Sequence, residues 1–177
     1  MLSLDGTTLE VPDTPANVAA FGRPPHSRGE QAAFPQVRLV AVAECGTHAI
    51  IQATIGPFTS GEVTLAPQVF GVLAPGVLLL ADRGVAGFEL WRQATATGAA
   101  LVWRTKTNAV LPVTQPLADG SYRSQIVAAS DHRHRRDPIT VRVVEDTLGK
   151  DRGRPATPAP TGCSPRSWTP GRPPPAS

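Results

Sequence analysis

The period of the hydrophobic pattern changes several times along the chain, and each change marks an element. Leu2 and Leu4 alternate with polar residues, and beyond Asp5-Gly6 a second short run holds Leu9 and Val11, which predicts strand, glycine turn, strand. Asp5 then ends or interrupts the first strand. Asp13 to Asn17 reads as a turn into a short helix, with Asp13 or Thr14 as its cap and Pro15 at its first position. Residues 22–35 carry Gly, Pro, Ser and Arg without a period and make a loop. Gln36–Glu44 and His48–Ile55 are rich in Val and Ile, and Cys45-Gly46-Thr47 between them suits a hairpin. Thr59 and Glu62 have capping-box spacing ahead of Val63, Leu65, Val69 and Phe70, while Pro67 predicts that this helix is short or kinked.

The pattern is sharpest from Gly76 to Arg92. Val77 to Ala81 is a continuous apolar run opened by Pro75-Gly76, as expected for a strand buried on both faces, and it stops at Asp82. From Phe88 to Thr95 the spacing becomes helical, with Phe88, Trp91 and Thr95 on one face and Glu89, Arg92 and Gln93 outside it. Ala99–Arg104 predicts one more buried strand. Val110–Pro116, Tyr122–Ala128 and Ile139–Val144 predict short strands of a β-rich insertion over about 109–147. A run of strands followed by strand–helix alternation predicts a mixed α/β fold, a mixed sheet with flanking helices. Residues 148–177 have no periodic apolar pattern and predict a disordered Pro/Arg-rich tail, separate from a domain over 1–147.

Charge changes the picture only after it is divided. Residues 1–148 hold 12 Lys/Arg against 13 Asp/Glu, a net of −1, whereas 149–177 hold 5 basic residues against Asp151, a net of +4. The overall +3 therefore belongs to the tail, and a basic groove on the folded part must be local. Cys45 and Cys163 are far apart and support neither a disulfide framework nor a zinc site. No apolar run is long enough to span a bilayer, and Met1 is not followed by a basic leader, so the expected location is cytoplasmic.

Chemistry gathers at the carboxyl ends of strands in open sheets flanked by helices, which makes Asp82 a candidate as well as an ordinary cap or turn residue. Asp5 beside Gly6 has the same two readings, a hairpin turn or a carboxylate where another group can approach the backbone. Glu62 reads first as a helix cap. Asp131-His132-Arg133-His134-Arg135-Arg136 reads as a solvated loop ahead of a His-x-His metal or phosphate site. Arg104 and Lys106 at a strand exit are candidate contacts to DNA phosphates. Trp91 and Trp103 read as core residues first and base-stacking platforms second.

In order along the chain, LDGTTLEVPDTPAN, AFGRP, FPQVRLVAVAECGTHAII, TSGE, PGVLLLADRG, FELWR, LVWRTK, LADGSYRS and DPITVRVVE resemble the DDE transposase family of the insertion-sequence-four type, from about residue 2 to about 147. The resemblance implies an RNase H-like catalytic core. It also implies that Asp5 and Asp82 are the first two members of an Asp-Asp-Glu triad, that they ligate Mg²⁺ or Mn²⁺, and that the partner is DNA at transposon ends. No nucleotide cofactor is implied. The expected reaction is metal-dependent phosphodiester cleavage and strand transfer, in which paired divalent ions stabilise the attacking and leaving oxygens.

The sequence departs from the family pattern at the third carboxylate. Relatives place their Glu in a helix with Tyr, Arg, Glu and Lys at spacings of three, four and seven, and nothing after Glu145 fits that motif. Glu145 and Asp146 read as surface turn residues. The start reads as cut too, since relatives carry a helical DNA-binding segment before the first catalytic strand. The expectation is a fragment truncated at both ends, its tail produced by a frameshift or truncation near residue 147, and inactive as it stands. The alternative is a non-catalytic regulator that binds DNA or an intact transposase.

Overall fold

The computed structural model describes residues 1–25, 31–106, 108–131, 136–145 and 166–170. The chain divides into two compact units, Met1–Leu101 and Val102–Ser177. The fold is the mixed α/β class that the pattern predicts, with a sheet ordered β3 (Ile50–Pro57), β2 (Gln36–Glu44), β1 (Leu2–Glu10), β4 (Leu78–Ala81) and β5 (Ala100–Arg104).

In the first unit, β1 (Leu2–Glu10) is one uninterrupted strand. This corrects the expected glycine turn at Asp5-Gly6. Antiparallel pairing with β2 (Gln36–Glu44) runs in continuous register from Leu2↔Glu44 to Glu10↔Gln36, with Asp5↔Ala41 and Gly6↔Val40 in its middle. A full ladder of backbone hydrogen bonds outweighs the local turn preference of an Asp-Gly dipeptide. The helix α1 (Pro15–Phe21) starts as predicted: Thr14 caps it by accepting from the Asn17 N–H at 3.2 Å, and Pro15 opens the first turn.

β2 pairs antiparallel with β3 (Ile50–Pro57). Their connection is longer than predicted because it includes His48, in the left-handed region at φ 60°. The turn is tied by Glu44, whose Oε2 accepts from Gly46 N at 2.9 Å, Thr47 N at 2.6 Å and Thr47 Oγ1 at 2.9 Å. Those donors, the Thr47 amide foremost, hold its carboxyl down to about 2 from an ordinary 4.5. A lowered folded-state pKa gives stability that is present above pH 4.5 and lost as pH falls through about 2. The urea midpoint of the parent chain should therefore exceed that of Glu44→Gln above pH 4.5, and the gap should close as the pH approaches 2.

The capping box at Thr59 and Glu62 does not form. α2 is Glu62–Leu65, Gly61 occupies its cap without a side-chain bond, and Glu62 is the first helical residue rather than the third. Pro67 limits the element as expected: the chain tightens into a 3-10 turn over Ala66–Val72.

β4 (Leu78–Ala81) lies parallel to β1, and α3 spans Phe88–Ala96. The buried face of α3 is Leu90, Trp91 and Ala94, so Trp91 is inside as predicted and Thr95 is not. Val40, Val42, Val69, Leu79, Leu90, Trp91 and Leu101 form the core of this unit. β5 (Ala100–Arg104) begins here, with Ala100 N–H donating to Val77 O at 2.8 Å.

The second unit is a set of antiparallel pairs. The end of β5 pairs with β9 (Arg166–Pro170), β9 with β8 (Ile139–Glu145), β8 with β7 (Tyr122–Ile126) and β7 with β6 (Gln115–Pro116). The strand expected at Val110–Pro116 shrinks to β6 (Gln115–Pro116); Leu111 is buried at 7% exposure, but Val110 is 84% and Val113 60% exposed. β9 falls in the tail, where the pattern carries no signal for a strand. The hairpin between β6 and β7 is fixed by Asp119, which accepts from Ser121 and from Arg142. His132, His134 and Asp146 lie outside the described residues. Among the described residues no helix is long and apolar enough to cross a membrane.

Candidate active site

The site is built by the parallel pairing of two strands. β1 and β4 run in register as Leu2↔Leu79, Ser3↔Leu80 and Leu4↔Ala81. The next residue on β1 is Asp5, and the next after β4 is Asp82. The two aspartates thus stand one step beyond the last pair, on adjacent strands separated by roughly 4.8 Å in the hydrogen-bonding direction. Leu4 is buried at 2% exposure and Leu79 at 1%, so the apolar ladder fixes this register, and both aspartates follow it into solvent.

The Asp5 carboxylate is braced locally, its Oδ1 accepting from Gly6 N at 2.8 Å. Asp82 occupies the cap position of the short 3-10 turn Arg83–Val85, but its side chain makes no capping bond to that turn. The carbonyl of Asp82 instead accepts from Val85 N at 3.2 Å. The capping account of Asp82 therefore falls.

A third carboxylate approaches the same edge. A Cβ on Gly6 would lie 2.5 Å from both Cγ and Cδ of Glu62, and one on Gly84 would lie 3.0 Å from its Oε2. Glu62 occupies the space that side chains at these two positions would fill, and its Oε1 pairs with Arg38 Nη1 at 3.4 Å. Arg38, on β2, was not singled out by the sequence reading. The available signal was a single arginine in the otherwise apolar run VRLVAVA of residues 37–43. Among the described residues no three His, Cys, Asp or Glu side chains form a ready metal cage.

The remaining candidates separate cleanly. Arg104, the last residue of β5, and Lys106 just beyond it are exposed and belong to the second unit. Trp91 and Trp103 are each 1% exposed, which leaves no face for a nucleic-acid base and assigns both to cores. Glu145 is in β8 rather than a turn and accepts from Tyr122 Oη at 3.0 Å.

The family described as "Transposase DDE domain" matches residues 1–156. Over 84 residues the chain is 37% identical to transposase InsG for insertion sequence element IS4 of Escherichia coli, covering 48% of this chain and 19% of that protein. Over 83 residues it is 28% identical to the putative transposase InsZ of Escherichia coli, covering 47% of this chain and 28% of that one. The matches thus span less than a third of either relative's length. Among solved structures, a piggyBac transposase synaptic complex with hairpin DNA aligns over 95% of this chain and 32% of its own, at 10% identity and a TM-score of 0.43. That last likeness is too distant to bear on the site. The family match, which takes in both strands that carry the aspartates, settles the lineage: the chain belongs to the transposase DDE-domain family.

Proposed function

We propose that this chain is part of the catalytic core of a DNA transposase, RNase H-like in architecture with a β-rich insertion over about 109–147, acting in the cytoplasm on transposon ends. The reading rests on one observation above others: Leu4↔Ala81 is the last pair between β1 and β4, and an aspartate follows on each strand. The donor set fits a hard divalent cation. Mg²⁺ is commonly held by one or two carboxylates, with waters and substrate phosphates completing the shell, so a full protein cage is not required. Asp5 and Asp82 would hold the Mg²⁺ or Mn²⁺. When bound, such ions stabilise the attacking and leaving oxygens of an in-line displacement at phosphorus.

The chain's own contributions follow from its geometry. The buried ladder of β1 and β4 keeps the two carboxylates in register, and the Gly6 amide orients that of Asp5. Gly6 and Gly84, having no side chains, leave room for Glu62 beside them. In the second unit, Arg104 and Lys106 would contact DNA phosphates, a kind of contact that carries no sequence information.

The test is Mn²⁺ binding, followed by the loss of the free-ion electron paramagnetic resonance signal. The parent chain is expected to bind, and Asp82→Asn to bind about tenfold more weakly, which corresponds to about 1.4 kcal/mol. An Asp82→Asn variant with unchanged affinity would overturn the assignment.

A further inference from the structure

We propose that Glu62 is a positioning residue of the Asp5–Asp82 edge, raising its affinity for a divalent cation through charge and an intervening water; the inference rests on the metal-site reading above. Glu62 sits against two backbone points at once, Gly6 next to Asp5 and Gly84 two residues after Asp82, so its place depends on both aspartate-bearing segments being in position. Neither glycine is at positive φ, so backbone strain does not account for them. At Gly6 the packing does: a Cβ would overlap the Glu62 side chain at 2.5 Å.

Charge gives the arrangement its direction. The Glu62 side chain is 23% exposed, and the one ion-pair partner found for it among the described residues is Arg38. Their separation of 3.4 Å is longer than the 2.7–2.9 Å of a strong charge-assisted bond. Arg38 Nε is itself buried without a hydrogen-bond partner among the described residues. A half-buried carboxylate so loosely paired adds negative potential to an edge that already holds two aspartates, and a cation there relieves it.

Strand alternation limits how Glu62 acts. Successive residues of β1 face opposite sides, so Gly6, with Glu62 over it, faces away from the side to which Asp5 points. Glu62 therefore reaches the edge from the other side of the strand. This agrees with the lack of a three-ligand cage among the described residues, and it points to an outer position rather than a direct bond to the ion. Outer groups of this kind commonly alter metal affinity by about 10–100-fold.

The experiment is Mn²⁺ titration of the full chain by the same resonance signal, with metal-free circular dichroism as the folding control. Glu62→Gln should weaken binding about tenfold, and Glu62→Asp, which keeps the charge, should recover most of the loss. Arg38→Gln should bind Mn²⁺ several-fold more tightly, because it removes the competing cation, and the double Arg38→Gln, Glu62→Gln variant should lose that gain; a purely structural Glu62 predicts that the double variant keeps it. If Glu62→Gln does not fold, the double variant, which leaves neither charge of the pair behind, decides: affinity close to the parent's supports the inference, and affinity as tight as that of Arg38→Gln overturns it. Unchanged affinity in a folded Glu62→Gln, beside weakened binding in Asp82→Asn, overturns this inference only. Unchanged affinity in Asp82→Asn overturns the metal-site reading itself.

Discussion

At a Mn²⁺ concentration a hundred times the parent chain's dissociation constant, the double variant Asp5→Asn, Asp82→Asn is expected to lose about 2.7 kcal/mol of metal-dependent stabilisation. A ligand that binds only the folded state stabilises it by RT ln(1 + [L]/Kd), so losing the site removes that whole term. Both aspartates are exposed, and asparagine preserves their shape. The metal-free unfolding midpoint should therefore remain close to that of the parent. Urea melts with and without Mn²⁺ measure both quantities in one experiment. A double variant that still gains stability from Mn²⁺ would place the cation elsewhere on the chain.

Trp91→Ala carries the largest expected cost to the fold itself, about 3–5 kcal/mol. Trp91 is 1% exposed in the middle of α3, between Leu90 and Ala94, and α3 packs on the 3-10 turn Ala66–Val72 that follows α2. Removing the indole takes away its burial and leaves a cavity that the neighbouring helix cannot fully close. Because a typical domain has only about 5–15 kcal/mol in total, a large unfolded fraction at room temperature is an expected result. Trp91→Phe keeps much of the volume and should lose markedly less, as read from the urea midpoint by circular dichroism. Equal midpoints for the two variants would mean that the indole is not part of the core.

Much of the first unit is legible in the residues. The runs of Val and Ile in 36–44, the apolar stretch ending at Asp82 and the Thr14-Pro15 helix start each carry a local signal, because alternation, continuous burial and capping are properties of short segments. The turn reading of Asp5-Gly6 fails for the complementary reason. A dipeptide preference is a weak local term, and the ladder that overrides it pairs Asp5 and Gly6 with residues more than thirty positions away. Thr59 and Glu62 show the same limit: spacing alone fits a capping box, yet the carboxylate pairs with Arg38 on a strand that the spacing cannot see.

The sequence by itself determined the mixed α/β class, the positions of its buried strands and the family of the chain, since composition, period and motif order are written along the chain. Tertiary structure decided which residues share the site. Parallel pairing of β1 with β4 puts Asp5 and Asp82 one step past the same ladder, and α2 lays Glu62 over Gly6 and against Gly84. Those relations join residues separated by more than twenty positions, and they are fixed by strand register and close packing, which no local pattern encodes.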